Sequence, residues 1–158
     1  MMLESPSAYK RRAKARLQAS QAVAAIAYLA QLHGREPGAV PSARVARARG
    51  LSPALAAKLM SEMASAGLLV GNPGPGGGYR LARPPEKILL GEVVRIFEPS
   101  KGDFPCPFGP AWCGNGPHCP LHDSFLRMQA MADAFLDQTT LEGFAELGPD
   151  AGCMHPAG

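Results

Sequence analysis

The sequence predicts a mostly α-helical fold interrupted by one short two-stranded hairpin. Three observations carry that prediction. Apolar residues recur at helical spacing in several segments, most of them closed by a glycine or a proline. One glycine-rich turn, Gly71-Asn72-Pro73-Gly74-Pro75-Gly76-Gly77-Gly78, lies between two short runs with strand character. Beyond a proline- and cysteine-rich stretch, apolar residues follow 4-3-4-3 spacing, which marks one long helix with a narrow seam.

Residues 1–16 form a basic arm, with Lys10, Arg11, Arg12, Lys14 and Arg16 close together. It reads either as a flexible segment touching phosphates or as a solubilising tail. From Leu17 to His33 a stripe of Val23, Ile26, Ala27 and Ala30, flanked by Leu29, predicts the first helix, stopped at Gly34. Ser42 is the expected cap of a short second helix, Ala43 to Arg49, ended by Gly50. Ser52-Pro53 then opens a third helix, Ala54 to Ala66, with Leu55, Leu59 and Met63 on one face and Gly67 closing it.

Two short helices around a glycine-containing turn make a helix-turn-helix pattern. Leu68-Leu69-Val70 and Tyr79-Arg80-Leu81-Ala82 are the strands of the hairpin that follows. A hairpin directly after a helix-turn-helix is the wing of a winged-helix domain, which spans residues 17–98. The glycines at the wing tip let backbone approach a phosphate, and Arg80 and Arg83 lie at its base. A nucleotide-binding loop is excluded by context, since such a loop needs a strand before it and a helix after it. Pro84-Pro85 breaks the chain, and a further helix runs through Gly91 to Phe97.

Residues 99–123 are a cysteine-rich loop. Between Phe104 and Asp123 lie three of the four cysteines, two of the four histidines, five prolines and three glycines, so no regular element can run through it. Residues 120–147 hold the long helix, with its seam of Leu121, Phe125, Met128, Ala132 and Phe135, and a short terminal helix. The seam is expected to pair with a second copy; packing against its own domain is the alternative. Residues 148–158 read as a disordered tail.

Charge divides the chain. Residues 1–80 hold 11 Lys/Arg against three acids, and residues 81–158 hold five against ten. The basic half suits a polyanion such as DNA. No apolar run reaches the ~18 residues of a membrane span, and the amino terminus lacks the apolar core of a secretory signal. A cytoplasmic protein is expected, in which clustered thiols act as metal ligands rather than disulfides. No nucleophile–base set is visible, so an enzyme is not expected.

From about Gln18 to Glu142 the sequence resembles the winged-helix iron–sulfur and nitric-oxide sensing regulators of the IscR/NsrR/RirA type. The residues that carry the resemblance are Gln21 to Ala30, the run from Leu51-Ser52 to Ala66-Gly67-Leu68, the wing Gly74 to Ala82, Gly91-Glu92-Val93-Val94, and the three-cysteine loop. The resemblance implies a homodimer whose affinity for a palindromic DNA operator depends on an iron–sulfur cluster. It implies Cys106, Cys113 and Cys119 as ligands, with His122 three residues after the last cysteine as the fourth. In another branch the fourth ligand is an acid near the start of helix one; the matching position here is Ser20.

Thiolates and imidazole suit a 2Fe–2S cluster, with a 4Fe–4S cluster as the alternative. Zinc is the main rival metal, because three cysteines and one histidine are an ordinary zinc set. A site of redox-active thiols without metal is the third reading. Cys119 is expected to cap the long helix with Pro120 in its first turn, which sets Cys119 and His122 on one face. The expected DNA contacts are Ser52, Lys58, Ser61, Gly76, Gly77, Tyr79 and Arg80. Few of these can read a base edge, so DNA shape and thymine methyls are expected to share in specificity. A zinc-stabilised interaction module without sequence-specific regulation is the alternative function.

Overall fold

The computed structural model describes residues 6–98 and 119–149. Six α-helices and one hairpin follow in order: α1 Pro6–Leu32, α2 Ser42–Arg49, α3 Pro53–Ser65, β1 Leu69–Asn72, β2 Gly78–Leu81, α4 Leu90–Phe97, α5 His122–Gln138 and α6 Glu142–Leu147. A single 3₁₀ turn, Pro85–Lys87, precedes α4.

Helix α1 is the hub. Ala19, Ala22, Ala25, Ile26, Ala27, Leu29, Ala30 and Leu32 are all buried, so the helix is covered on more than the one stripe its period predicts. Its alanines let α2, α3, α4 and α6 pack around it. Ile26, Val45, Leu59, Met60, Met63, Ile88, Val93 and Leu141 fill the centre with no exposed surface. Complete burial stabilises each of the larger side chains by roughly 1.5–3 kcal/mol.

The caps decide the ends. Ser52 Oγ accepts the Leu55 N–H at 3.3 Å and Pro53 is the first residue of α3, as the Ser-Pro pair predicts. Gly50 closes α2 with φ of 63°. Ser42 does not cap α2. It is the first helical residue, Pro41 occupies the cap position, and no side chain bonds the helix start. Helix α1 begins at Pro6 rather than Leu17, because the segment ahead of Leu17 is rich in alanine, lysine and arginine, all good helix formers.

The wing strands pair antiparallel, with Leu69 opposite Leu81 and Asn72 opposite Gly78. A bridge ties the wing to the segment before α2: Val40 and Tyr79 exchange N–H···O bonds, both of 2.8 Å. Gly78 makes this possible, since a Cβ there would lie 2.4 Å from the Val40 carbonyl carbon and oxygen. A second bridge joins Leu89 to Thr140, with Leu90 N–H donating to Thr139 O at 2.9 Å and Leu141 N–H to Ile88 O at 3.0 Å. The chain leaving α5 is thereby sewn to the entry of α4.

Candidate nucleic-acid interface and metal-ligand turn

The period of α3 sets its two faces. Ala56, Leu59, Met60 and Met63 point inward, leaving Ala54, Ala57, Lys58 and Ser61 outside. Lys58 Nζ lies 3.7 Å from Glu62 one turn on, and the Ser52 hydroxyl oxygen serves the helix cap. The outer face is therefore smooth and small, with Ser61 and Lys58 its polar groups.

On the wing, alternation places Arg80 outward, while Tyr79 and Leu81 turn toward the core. Gly76 is exposed at the tip and Gly77 is half-buried. A Cβ on Gly77 would sit 2.2 Å from the Asn72 carbonyl oxygen, so the tight tip requires glycine. Between the wing and the start of α2 runs an open cleft of about 420 Å³, lined by Pro41, Ser42, Asn72, Gly74, Gly77 and Tyr79 among others.

The arginines divide between internal and external roles. Arg44 donates two bonds to Glu36 at 2.6 and 2.8 Å, and this hydrogen bonding holds the Glu36 carboxyl below the usual carboxylate range. Arg49 stacks 5.2 Å above the Tyr28 ring and donates to the buried Gln31. Arg83, at the base of the wing, donates to Glu92 at 2.7 Å. Arg47 and Arg80 are exposed and have no ion pair among the described residues. Arg47 was not among the sequence candidates, because nothing in the run Arg44, Arg47, Arg49 marks which one stays free.

The turn that carries the candidate ligands Cys119 and His122 is described in part. Cys119 is a half-buried free thiol, and the His122 N–H donates to its carbonyl at 2.9 Å. Cys119 does not cap α5. The helix begins at His122 with Leu121 at the cap position, and Pro120 and Leu121 form the preceding turn. The turn nonetheless sets Cys119 and His122 three residues apart at one helix end. Cys106 and Cys113 lie outside the described residues, as does Cys153. Among the described residues no group of three or more His, Cys, Asp or Glu could hold a metal. Ser20 is exposed on α1 and bonds back to the Leu17 carbonyl at 2.9 Å.

Helix α5 has two unlike sides. His122, Phe125, Gln129, Ala132 and Leu136 are buried or half-buried, whereas Leu121, Leu126, Met128, Met131 and Phe135 are exposed. The predicted seam is split: Phe125 and Ala132 turn inward, and Leu121, Met128 and Phe135 stay out. Near its end, Asp137 pairs with Arg95 of α4. Gly91 makes room there, since a Cβ would come within 2.8 Å of Asp137 Oδ1.

Comparison with known proteins places this arrangement. A family model described as an iron-dependent transcriptional regulator, Rrf2, matches residues 16–146. The HTH-type transcriptional regulator IscR of Aliivibrio salmonicida is 34% identical over 110 residues, 70% of this chain and 64% of that protein. The chain thus spans a little under two thirds of the length of that relative. CymR, the global cysteine regulator of B. subtilis, superposes with a TM-score of 0.66 at 23% identity, covering 92% of this chain and 98% of that one. CymR of Staphylococcus aureus gives 0.64 at 27% identity, covering 82% and 96%. No helix among the described residues is long and apolar enough to cross a membrane. With α3, the wing and α5 in the order of a winged-helix regulator and a family match over most of its length, the chain belongs to the Rrf2 family of transcriptional regulators, which are not enzymes.

Proposed function

We propose that this protein is a homodimeric, cytoplasmic DNA-binding regulator whose affinity for a palindromic operator is set by an iron–sulfur cluster on Cys106, Cys113, Cys119 and His122. The observation that carries the proposal is the turn at the foot of α5, which holds a free thiol and an imidazole three residues apart. The iron-dependence in the family description agrees with it. The donor set fits the group: three thiolates are soft anionic ligands, and imidazole replaces a thiolate at one iron. A bound cluster would supply a redox- and nitric-oxide-sensitive anchor for this turn.

The protein's own residues supply the rest. Helix α5 runs unbroken from His122 to Asp137, whose pairing with Arg95 joins it to α4. Helix α4 packs on α1, around which α2 and α3 are also arranged. A changed constraint on Cys119 and His122 therefore reaches the head through packed helices. Its exposed side, Leu121, Met128, Met131 and Phe135, receives the second copy, which brings two α3 helices to half-sites about 34 Å apart. Lys58, Ser61, Gly76, Gly77 and Arg80, joined by Arg47, form the DNA-facing set, while Ser52 caps α3 and Tyr79 packs behind the wing. Coupling of about 1–3 kcal/mol between cluster state and DNA affinity suffices for regulation.

The test is anaerobic purification with iron, sulfide and zinc counts and a visible spectrum, for the wild type, Cys119→Ala and His122→Ala. The wild type should carry iron and sulfide, Cys119→Ala should lose them, and cluster loss should change DNA affinity by about 5- to 150-fold. A colourless wild type with one zinc per chain would overturn the proposal.

A further inference from the structure

The first three turns of α1 stand ahead of the core. Among the residues of this helix whose side chains are described, full burial begins at Ala19, whereas Lys10, Arg11, Ala13, Lys14 and Leu17 are exposed. At 1.5 Å per residue, Pro6 to Ala19 spans about 20 Å. From Pro6 to Arg16 the sequence holds five Lys/Arg and no acid. The family match begins at residue 16, so residues 6–15 lie outside it.

The charge is placed against the helix's own preference. Lys10 and Lys14 are like charges at i, i+4, which repel. Lys10, Arg11 and Lys14 have no ion pair among the described residues. A polyanion removes this repulsion.

The composition separates the two common polyanions. A helix that lies in a membrane surface needs a face of large apolar residues, but between Pro6 and Arg16 the apolar residues are alanines and one tyrosine. Duplex DNA needs no such face. Lys10 and Lys14 are about 6 Å apart along the axis, close to two nucleotide rises of ~3.4 Å.

We infer that the start of α1, through Lys10, Arg11 and Lys14, is an accessory DNA-phosphate clamp, contacting backbone outside the surface offered by α3 and the wing. The inference rests on the DNA-binding reading above.

The experiment uses the full chain and a long random-sequence duplex, with affinity measured by fluorescence anisotropy across a salt series. Lys10→Ala, Arg11→Ala and Lys14→Ala are combined, because alanine favours helix and far-UV circular dichroism can verify that helicity persists. Each lost contact should remove about 0.9 from the slope of log affinity against log salt, so the triple variant should lose about 2–3 units. At 0.1 M salt its affinity should fall about a hundredfold. The charge-preserving variant Lys10→Arg, Arg11→Lys, Lys14→Arg should keep the wild-type slope. A triple-alanine variant with unchanged slope and affinity overturns the clamp while leaving the DNA-binding reading intact. Loss of slope in the charge-preserving variant also overturns it. A wild type that binds no duplex at any salt sinks the DNA-binding reading and the clamp with it.

Discussion

Replacing Gly78 with alanine probes how the wing is attached to the head. The added Cβ would lie 2.4 Å from both the carbonyl carbon and oxygen of Val40 and 2.6 Å from Pro41 N. All are backbone atoms, so no rotamer change relieves the contact. The φ of 151° also lies where L-residues are rarely found. The wing must therefore part from residues 40–41, and the two 2.8 Å bonds between Val40 and Tyr79 are lost. Each bond contributes about 1 kcal/mol. The backbone conformation adds about 1–3 kcal/mol when a side chain is forced on it. The sum is about 3–5 kcal/mol, or a fall in Tm of about 6–20 °C for a chain of this size. Gly74→Ala is the control: its φ is +90°, but its Cβ would enter open space, so only the conformational part applies. Scanning calorimetry on both variants, with amide exchange at Tyr79, separates the effects. Equal losses in the two variants would refute the close-approach argument, since it requires Gly78→Ala to exceed Gly74→Ala by about the two hydrogen bonds.

Glu92 gives a pH prediction. Burial pushes its carboxyl up, but hydrogen bonds from Arg83 and the Leu89 N–H, with the charges of Arg83 and Arg95, outweigh burial and hold it below the usual range. A carboxyl lowered on folding stabilises above its unfolded value of about 4.3, and that stability is lost as pH falls through the lower folded value. The urea midpoint of the wild type should exceed that of Glu92→Gln by an amount constant above about pH 5, with the gap closing at more acid pH; a gap that widens on acidification contradicts the assignment. On α5, Met131 is 74% exposed and Phe135 59%. The double variant Met131→Glu, Phe135→Glu should shift the protein to monomer in analytical ultracentrifugation without loss of helical circular dichroism. A dimer of unchanged strength would exclude this side of α5 as the contact.

Legibility in the sequence followed the range of the interactions. Ser52-Pro53, Gly50 and the wing glycines act on backbone within a few residues, and the structure places those elements where local chemistry predicts them. The Leu59 and Met63 stripe is equally local. Helix α1 was read short because its first turns lack an apolar period, and composition alone carries the helix there. Pro41 displaced Ser42 from the cap, a contest between neighbours that residue preference does not decide. The ion pairs Arg44–Glu36, Arg83–Glu92 and Arg95–Asp137 link residues 8, 9 and 42 apart, and no periodicity marks them. The seam on α5 shows the general difficulty. Its period reveals an apolar helix, but Phe125 and Ala132 are half-buried while Met128 and Phe135 are exposed, and a period is blind to whose surface covers it.

On the proposed interface the work of binding DNA is divided unevenly. The outward face of α3 offers two alanines, a serine, and a lysine already beside Glu62, which leaves few groups for bidentate reading of base edges. A smooth face has a compensating property: it lets the helix lie close in the major groove, where alanine meets thymine methyls. Affinity must then come chiefly from phosphate contacts, which position the protein without reading sequence. Arg47, Arg80 and the basic start of α1 are the exposed cations available for that role. In the proposed dimer, specificity falls to the width and bendability of the duplex between the two heads. Such a binder is sensitive to inter-head geometry, since each head alone discriminates weakly. In the proposed dimer, the turn carrying Cys119 and His122 at the foot of α5 is therefore well placed to control that geometry.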